Sequence, residues 1–467
     1  MAESASKRAG YRALAVIVLA AGKGTRMRST TPKVLHPLAG MPMLGHVLTT
    51  AQALAPERVA VVVGNGAEQV TAAATAILPG VRICRQREQR GTGHAVMAAN
   101  EALDGFEGDV LVLYGDTPLL TRETLVRLRS PVAATDSQPA VRVLGFEADD
   151  PARYGRLITD AEGSLTAIVE AKNATPDQLA VTRCNSGVMA ADAATLRRLL
   201  AHLTDDNAQG EYLLTDLVGL AVGEGRRAEA VLCPMAETMG INDRAELAAA
   251  EALWQARART AAMRAGVTMT APATVTLSHD TVLEPDVTLG PGVVFAPGVT
   301  VRSGARIEAY CHLADTEIGP RSVIGPFARL RGGCTVGADT RIGNFVEMKA
   351  TDFGNGAKAA HLTYVGDASV GAGANLGCGT VTCNYDGVDK HRTTIGAGAF
   401  IGTNSALIAP VAIGAGAYVA TGTVVTRDVP DDALAIARTA QSNREGAAGR
   451  LRAAMLARKA ARGAKKG

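Results

Sequence analysis

The feature that most constrains this chain is a six-residue period in its C-terminal part. After about residue 270, a large apolar residue, most often followed by glycine, recurs every six positions, with occasional five-residue steps. Such a repeat is typical of a parallel β-helix, in which three hexads form one triangular coil and the apolar side chain points into the prism. The sequence therefore predicts roughly eight coils over residues 283–430, with apolar positions at Leu289, Phe295, Ile307, Ile318, Ile324, Leu330, Val336, Ile342, Val370, Leu376, Ile395, Ile401, Leu407, Ile413 and Val419.

The composition agrees with this architecture. Glycine accounts for 51 of 467 residues, which is about 11% against an average of about 7%, and aromatic residues make up only 3%. Tight corners use glycine, and a narrow prism has little room for rings. The segment 384–394 breaks the period. A polar loop that leaves a regular solenoid is a candidate functional element.

The N-terminal part follows a different pattern, in which short apolar runs alternate with helix-like segments. The runs Ala15–Leu19, Val59–Val63 and Val110–Tyr114 are rich in β-branched residues and leucine, as strands buried on both faces of a parallel sheet are. Helices are expected over 43–54 and 93–103. This alternation predicts an α/β, doubly wound, Rossmann-like domain.

We expect four parts along the chain: an α/β domain over 1–242, a helical linker over 243–265, a β-helix domain over 266–443 and a basic tail over 444–467. The linker contains no glycine or proline, with Asn242 and Asp243 as candidate N-caps and Gly266 as its stop. The tail has eight basic residues against Glu445 alone, a net charge of +7 within a chain total of +3. It is expected to be solvated.

Charge, cysteine usage and hydropathy exclude several classes of protein. Because the excess of positive charge lies in the tail, the body of the chain is not expected to bind nucleic acid. The seven cysteines are scattered and contain no C-x-x-C pair, which indicates a reduced, cytoplasmic chain without zinc. No run reaches the roughly 18 apolar residues that cross a bilayer, so no membrane span is expected.

The first predicted strand leads into the stretch Leu19-Ala-Ala-Gly-Lys-Gly-Thr-Arg-Met27. Glycines at 22 and 24 let the backbone approach a phosphate closely, and Lys23 and Arg26 add positive charge. The stretch is neither a Walker A loop nor a G-x-G-x-x-G fingerprint. On these residues alone, a structural glycine-rich turn and a phosphate-binding loop both remain open.

Together with Pro32-Lys33, this stretch resembles the signature of sugar-1-phosphate nucleotidyltransferases. Joined to the hexapeptide half, the chain resembles, from about residue 13 to about residue 445, the family of bifunctional N-acetylglucosamine-1-phosphate uridylyltransferases/glucosamine-1-phosphate N-acetyltransferases. The resemblance implies a left-handed β-helix, a homotrimer and two reactions. Acetyl-CoA acetylates glucosamine-1-phosphate, and the product then attacks UTP, with Mg²⁺ present, and releases pyrophosphate.

The resemblance also implies the residues of the uridylyl site. Arg26 and Lys33 would neutralise the triphosphate, and Asp116 with Asn242 would hold Mg²⁺, an ion that needs few protein oxygens. Gln86 and the Gly91-Thr92 pair would contact uracil. The full set implied for UTP and UDP-N-acetylglucosamine is Leu19, Ala20, Ala21, Gly22, Lys33, Gln86, Gly91, Thr92, Gly155, Glu170, Asn185 and Asn242.

In the C-terminal half, His361 is the expected general base for acetyl transfer. It is expected to interrupt the hexad pattern at a position where Val, Ile or Leu would serve. The resemblance implies that glucosamine-1-phosphate is bound by Arg331, Lys349, Tyr364 and Asn375. It implies that acetyl-CoA is contacted by Cys378, Asn384, Tyr385, Lys390, Thr403, Thr421 and Arg438, with Asn384 a candidate oxyanion donor.

Two other functions are open. A single-activity nucleotidyltransferase with a regulatory β-helix should lack His361 and the Asn384-Tyr385 loop. A non-catalytic scaffold should have lost Arg26, Lys33 or Asp116. All of these residues are present, which favours the bifunctional enzyme.

Overall fold

The computed structural model describes residues 12–129, 139–207 and 209–463. It divides into two compact units, one comprising Met1–Ala262 with Thr276–Asp280 and the other Met263–Val275 with Thr281–Gly467. The first eleven residues of the predicted α/β domain and the last four of the predicted tail lie outside the described residues.

The first unit is built on a sheet of nine strands within the described residues. These are β1 Leu14–Ala20, β2 Arg58–Val63, β3 Arg82–Arg85, β4 Asp109–Tyr114, β5 Val141–Glu147, β6 Arg156–Thr159, β7 Leu165–Val169, β8 Arg183–Asp192 and β9 Ala228–Leu232. Their order across the sheet is β3-β2-β1-β4-β8-β5-β9-β7-β6. The helices of this part are α1 Met43–Gln52, α2 Ala67–Ile77, α3 Thr92–Met97, α4 Arg122–Arg129, α5 Pro176–Leu179, α6 Ala193–Ala201, α7 Asp216–Gly223 and α8 Arg244–Arg264.

The sheet is mixed, with parallel and antiparallel neighbours. The three strands predicted from apolar runs are parallel neighbours, with β1 between β2 and β4. Strand β8 runs antiparallel to both β4 and β5. All seven residues of β1 are buried, and alternate side chains enter two separate clusters on opposite faces of the sheet. This double burial is why the run reads as continuously apolar.

The second unit contains a 22-stranded sheet whose strands pair parallel with the equivalent strand of the next coil. Its strands are Thr268–Met269, Val282–Leu283, Thr288–Leu289, Val294–Phe295, Val299–Val301, Arg306–Ile307, His312–Leu313, Thr316–Ile318, Val323–Ile324, Arg329–Arg331, Cys334–Val336, Arg341–Phe353, Lys358–Val370, Asn375–Leu376, Val381–Cys383, Thr393–Ile395, Phe400–Ile401, Ala406–Ile408, Val411–Ile413, Tyr418–Val419, Val424–Val425 and Leu434–Ala435. The fifteen apolar positions predicted from the period are all buried. The predicted β-helix is therefore confirmed.

The repeat length explains how the coils stay in register. Leu289 pairs with Ile307 and Ile307 pairs with Ile324, so one coil takes 18 or 17 residues. Leu376 pairs with Ile401, 25 residues further along the chain, because the 384–394 loop leaves the prism within that coil. Neighbouring coils approach so closely that a Cβ on Gly343 would lie 1.8 Å from the carbonyl oxygen of Ala360.

The basic tail contains a helix, α9, over Ala447–Gly463, which the sequence analysis did not anticipate. Its described side chains from 448 to 462 are all exposed, including Leu451, Met455 and Leu456. Among the described residues, no helix combines the length and the apolar character needed to cross a membrane.

Candidate active sites

A cavity of about 320 Å³ opens in the first unit beside the carboxyl ends of β1 and β4. Ligands bind at this edge in open α/β sheets. The cavity is lined by Leu19, Ala20, Ala21, Gly22, Lys33, Val34, Gln86, Gln89, Gly91, Thr92, Ala95, Tyr114, Asp116 and Glu211. Most of the predicted nucleotide-binding residues thus surround a single space.

The glycine-rich stretch runs along this cavity and brings Lys33 to it. Gly24 has a φ of 59°, and a Cβ at this position would lie 2.6 Å from the Cβ of Lys33. Glycine therefore permits both the turn and the close packing of the lysine. Arg26, in the short 3₁₀ helix Thr25–Met27, is exposed and is not among the residues that line the cavity.

Lys33, Asp116 and Asn242 form a polar cluster at the cavity. The ammonium group of Lys33 makes an ion pair with the Asp116 carboxylate and donates to Oδ1 of Asn242 at 3.1 Å. The Lys33 and Asp116 side chains are only 14% and 17% exposed. The backbone N–H of Ile241 donates to the carbonyl of Asp116 at 3.0 Å and so holds Asn242 nearby. One carboxylate and one amide oxygen thus converge on a single cation.

This donor set fits a hard divalent cation, because Mg²⁺ prefers oxygen ligands and keeps several waters. Asn242 is held by Glu246, whose Oε2 accepts from the Asn242 backbone N–H at 2.7 Å. Burial alone would raise the pKa of Glu246, but hydrogen bonds from the Asn242 backbone and from Arg153 outweigh it and hold that pKa below its usual range. In the described part of the chain, no three His, Cys, Asp or Glu side chains gather into a metal cluster.

Gly91 and Thr92 form a turn at the start of α3, called the uracil turn, and Gln86 lies on the segment that leads from β3 to it. Gln86 is 6% exposed and donates through Nε2 to the carbonyl of Gly91 at 3.1 Å. Gly91 has a φ of 104°, a backbone conformation that favours glycine. The Thr92 hydroxyl accepts from the N–H of Leu214 at 3.0 Å, so the chain after α6 fixes the turn.

Gly155, Glu170 and Asn185, which belong to the set that the resemblance implies for UDP-N-acetylglucosamine, form a second group. The N–H of Asn185 donates to the carbonyl of Gly155 at 2.8 Å, and a Cβ on Gly155 would lie 3.6 Å from Oε1 of Glu170. A bulge in β8 between Asn185 and Met189 turns the strand here. The half-buried Tyr114 packs against Gly187 in that bulge, and desolvation together with the charges of Asp116 and Glu170 raises its pKa.

Three polar residues that line the cavity, Gln89, Tyr114 and Glu211, were missed by the sequence analysis. Gln89 donates to the carbonyl of Ala21 at 2.9 Å and joins the uracil turn to the glycine-rich stretch. Tyr114 was assigned only to a strand, although its position at the carboxyl end of β4 is a signal that could have identified it. Glu211 lies in an irregular segment with no recognisable motif.

In the second unit, the hexad argument for His361 is wrong. Its strand, Lys358–Val370, turns Ala359 into the prism, where it is fully buried. His361 lies two residues further on and is exposed. The side chain is therefore free to meet a ligand, and the period alone does not single it out.

His361, Cys378, Thr403 and Thr421 occupy the same corner of successive coils. Each directly precedes a residue with positive φ, respectively Leu362, Gly379, Asn404 and Gly422. Backbone hydrogen bonds link this corner from coil to coil at 2.7–2.8 Å. Coils stack at about 4.8 Å, so this corner column spans roughly 14 Å. Arg438 donates to the carbonyl of Thr421 at its far end.

Two cations lie beside one another on adjacent coils, since Arg331 pairs in register with Lys349. Arg331 donates to Glu347 at 2.8 Å, and Lys349 makes an ion pair with Asp367 at 3.1 Å. The buried Asn384 donates through Nδ2 to the same Asp367 and lies 3.5 Å from the hydroxyl of Tyr364. Lys349, Asn384 and Tyr364 therefore share one hydrogen-bond network through Asp367, and the Arg331–Glu347 pair lies beside it.

The 384–394 loop is folded upon itself. The ammonium of Lys390 lies 4.0 Å from the centre of the Tyr385 ring. Asp386 accepts hydrogen bonds from His391 at 2.7 Å and from two backbone N–H groups, which together hold its pKa well below the usual range. Asn375 is half-buried and pairs with Lys358 and Phe400 on neighbouring coils.

Fold and sites together define the class, which is a nucleotidyltransferase domain joined to a hexapeptide-repeat transferase domain. Residues 16–205 match the family described as MobA-like NTP transferase domain. Residues 315–350 match the family described as bacterial transferase hexapeptide (six repeats).

Curated relatives define the family more closely. The Bifunctional protein GlmU of Jannaschia sp. (strain CCS1) is 52% identical over 451 residues, which is 97% of this chain and 98% of the relative. Those of Paracoccus denitrificans (strain Pd 1222) and Ruegeria sp. (strain TM1040) are each 54% identical, cover 96% of this chain, and are themselves covered to 98% and 99%. The chain belongs to the family of bifunctional GlmU proteins.

The family resemblance and the fold class inferred from the sequence are thus confirmed. The chain is a bifunctional enzyme, a uridylyltransferase and an N-acetyltransferase acting on small molecules. Its nucleotidyltransferase half implies a divalent metal cofactor. The roles of individual residues remain predictions.

Proposed function

We propose that the chain carries out two consecutive steps of UDP-N-acetylglucosamine synthesis, acetylation of glucosamine-1-phosphate followed by uridylyl transfer from UTP. The observation that carries the uridylyl step is the convergence of Lys33, Asp116 and Asn242 beside a glycine-rich cavity. We assign this step to residues 1–242 and acetylation to residues 266–443, with 243–265 connecting them.

In uridylyl transfer, the protein acts chiefly by positioning and by neutralising charge. Lys33 contacts the triphosphate and stabilises the charge that develops as pyrophosphate leaves, and the exposed Arg26 closes on the phosphates from the glycine-rich stretch. Asp116 and Asn242 would hold Mg²⁺, which would supply electrostatic stabilisation to the phosphate oxygens. Lys33 would exchange the Asp116 carboxylate for phosphate oxygens when UTP binds.

Two groups of residues recognise the two parts of the substrate, the nucleotide and the sugar. Gln86, Gly91 and Thr92 contact uracil, and the backbone of Leu19–Gly22 contacts the nucleotide. Gly155, Glu170 and Asn185 contact the N-acetylglucosamine moiety. The hydrogen bond between Asn185 and Gly155 supports this grouping.

In acetyl transfer, His361 takes the proton from the amine of glucosamine-1-phosphate as the amine attacks the thioester carbonyl. The C–S bond of the tetrahedral intermediate then breaks, and CoA leaves as a thiolate that regains a proton. The buried amide of Asn384 donates to the developing oxyanion. Arg331 and Lys349 bind the sugar phosphate, while Tyr364 and Asn375 contact the sugar. Acetyl-CoA extends along the corner column past Cys378, Thr403 and Thr421 to Arg438, with Tyr385 and Lys390 closing over it from the loop.

We further propose that the protein is a cytoplasmic homotrimer whose acetyl-transfer sites lie between β-helices. Tyr310, Phe327 and Phe345 stack along one corner at 5.2 and 5.4 Å between ring centres, and each is about half exposed. An exposed aromatic stack of this kind is typical of a contact surface. It continues through Leu362, the neighbour of His361, so a copy that covers it would also enclose His361. The scattered free cysteines support a reducing compartment.

A pair of variants tests the assignment of the two activities. His361→Ala is expected to abolish acetyl transfer, followed as thiol release, and to leave pyrophosphate release from UTP and N-acetylglucosamine-1-phosphate nearly unchanged. Lys33→Ala is expected to give the opposite result. Equal loss of both activities in either variant would contradict the assignment to two separate sites.

A further inference from the structure

The amide of Gln86 is held in one orientation by a backbone carbonyl. One of its terminal atoms lies 3.1 Å from the oxygen of Gly91. A carbonyl oxygen can only accept a hydrogen bond, so the atom beside it must be the Nε2 nitrogen. The orientation of the amide thus follows from the chemistry of its neighbour.

The same nitrogen lies 3.2 Å from Nδ1 of His94. Because Nε2 of Gln86 only donates, Nδ1 of His94 must accept, and its proton must be on the other ring nitrogen. In this arrangement, Nδ1 of His94 is the acceptor of the Gln86 amide. A ring carrying a proton on Nδ1 would present a donor to the amide and would favour the reversed orientation.

His94 lies on a fixed platform. Its ring stacks on that of Tyr212, with 6.2 Å between ring centres and 30° between planes. Backbone hydrogen bonds of 2.8 Å tie Tyr212 to Arg90 and Gly93, on either side of the uracil turn. His94 lines a second groove together with Arg85, Arg87 and Glu88. The ring can therefore hold Gln86 without touching the cavity, which His94 does not line.

The remaining polar atom of Gln86 is Oε1. It makes no hydrogen bond within the described residues, although Gln86 lines the nucleotide cavity. An acceptor there matches the N3–H donor of uracil. Cytosine has an unprotonated N3 with a lone pair, so an acceptor at the same place repels it.

We propose that His94 is a positioning residue that selects the base, because it holds the Gln86 amide with its oxygen towards uracil N3–H. This inference rests on the proposed role of Gln86 in binding uracil. It adds a residue outside the cavity that decides between UTP and CTP and does not touch the nucleotide itself.

The test compares kcat/KM for UTP and CTP in three variants of the full-length protein. His94→Phe keeps the ring on Tyr212 and removes the acceptor, and we expect the preference for UTP to fall about fivefold, the effect of losing one ordinary hydrogen bond. His94→Asn restores an acceptor near the position of Nδ1, and we expect it to recover most of the preference. Gln86→Ala should lower the preference at least as far as His94→Phe does.

The outcomes separate this inference from the assignment of Gln86. If Gln86→Ala leaves the UTP/CTP ratio unchanged, Gln86 does not bind the base and the proposed role of that residue fails. If Gln86→Ala lowers the ratio but His94→Phe does not, or if His94→Asn behaves like His94→Phe, the positioning role of His94 fails. An equal loss of activity with both nucleotides in His94→Phe would indicate a purely structural role. Acetyl transfer by each variant reports whether the protein is intact.

Discussion

Replacing Lys33 by methionine should change metal binding and turnover in opposite directions. In the free protein, the Lys33 ammonium occupies the oxygens of Asp116 and Asn242 that we propose as Mg²⁺ ligands. Both charged side chains are more than four-fifths buried. A hydrogen bond of this kind to a charged group contributes about 1.5–3 kcal/mol. Removing the competing cation should therefore tighten Mg²⁺ binding to the nucleotide-free protein by roughly 10- to 100-fold.

The same variant should lose catalytic power, because Lys33 no longer stabilises the leaving pyrophosphate. Loss of one preorganised donor to a developing charge costs about 10²–10³ in kcat. Mg²⁺ affinity is measured by calorimetry without nucleotide, and turnover by pyrophosphate release. Lys23→Met, which removes an exposed lysine from the same stretch, is the control and should leave Mg²⁺ affinity unchanged. Weaker or unchanged Mg²⁺ binding in Lys33→Met would refute the shared-oxygen reasoning.

Three further predictions concern the β-helix. Phe327→Asp should put a charge into the exposed aromatic stack and yield monomers by light scattering; an unchanged mass would remove this corner from the interface. Alkylation should abolish acetyl transfer in the parent protein but not in Cys378→Ala; equal inactivation of both would exclude Cys378. Because the hydrogen bond from His391 holds the pKa of Asp386 below its usual range, the stabilisation from this carboxylate is present above an ordinary pKa of about 4 and is lost only as pH falls through the lower folded value. The protection of the loop amides against hydrogen exchange, corrected for intrinsic rates, should therefore be the same at pH 7 and at pH 4.5. A loss of protection already at pH 4.5 would contradict this.

The sequence predicted those elements whose burial repeats at a fixed interval. Strand β1 is apolar at every position because both of its faces are covered, and the hexad positions are apolar because each side chain enters the prism. The antiparallel strand β8 was not predicted, since its first half, Arg183–Gly187, carries polar residues around a bulge. A bulge depends on the pairing partner, and a local pattern does not contain that information.

The difference between local pattern and tertiary packing also explains which site residues could be predicted. Motif residues such as Lys33 and Gln86 could be proposed from the sequence, but Glu211 and Tyr114 reach the cavity only through tertiary packing. The hexad argument failed at His361 because the strand Lys358–Val370 continues across a corner of the prism. Counting from one apolar residue to the next therefore wrongly assigns an inward position to His361. The helix Ala447–Gly463 was overlooked because its basic charge was interpreted as a tail, although alanine, leucine and arginine are strong helix formers.

The length of the corner column is fixed by the number of coils that it crosses. Each added coil of 17 or 18 residues would move Thr421 away from His361 by one strand spacing, about 4.8 Å, without disturbing the side chains on either rung. A deletion of only six residues would instead rotate every later residue to the next face of the prism. Changes in length are therefore compatible with this fold only in whole coils, and each coil inserted between His361 and Thr421 would lengthen the corner column by one strand spacing.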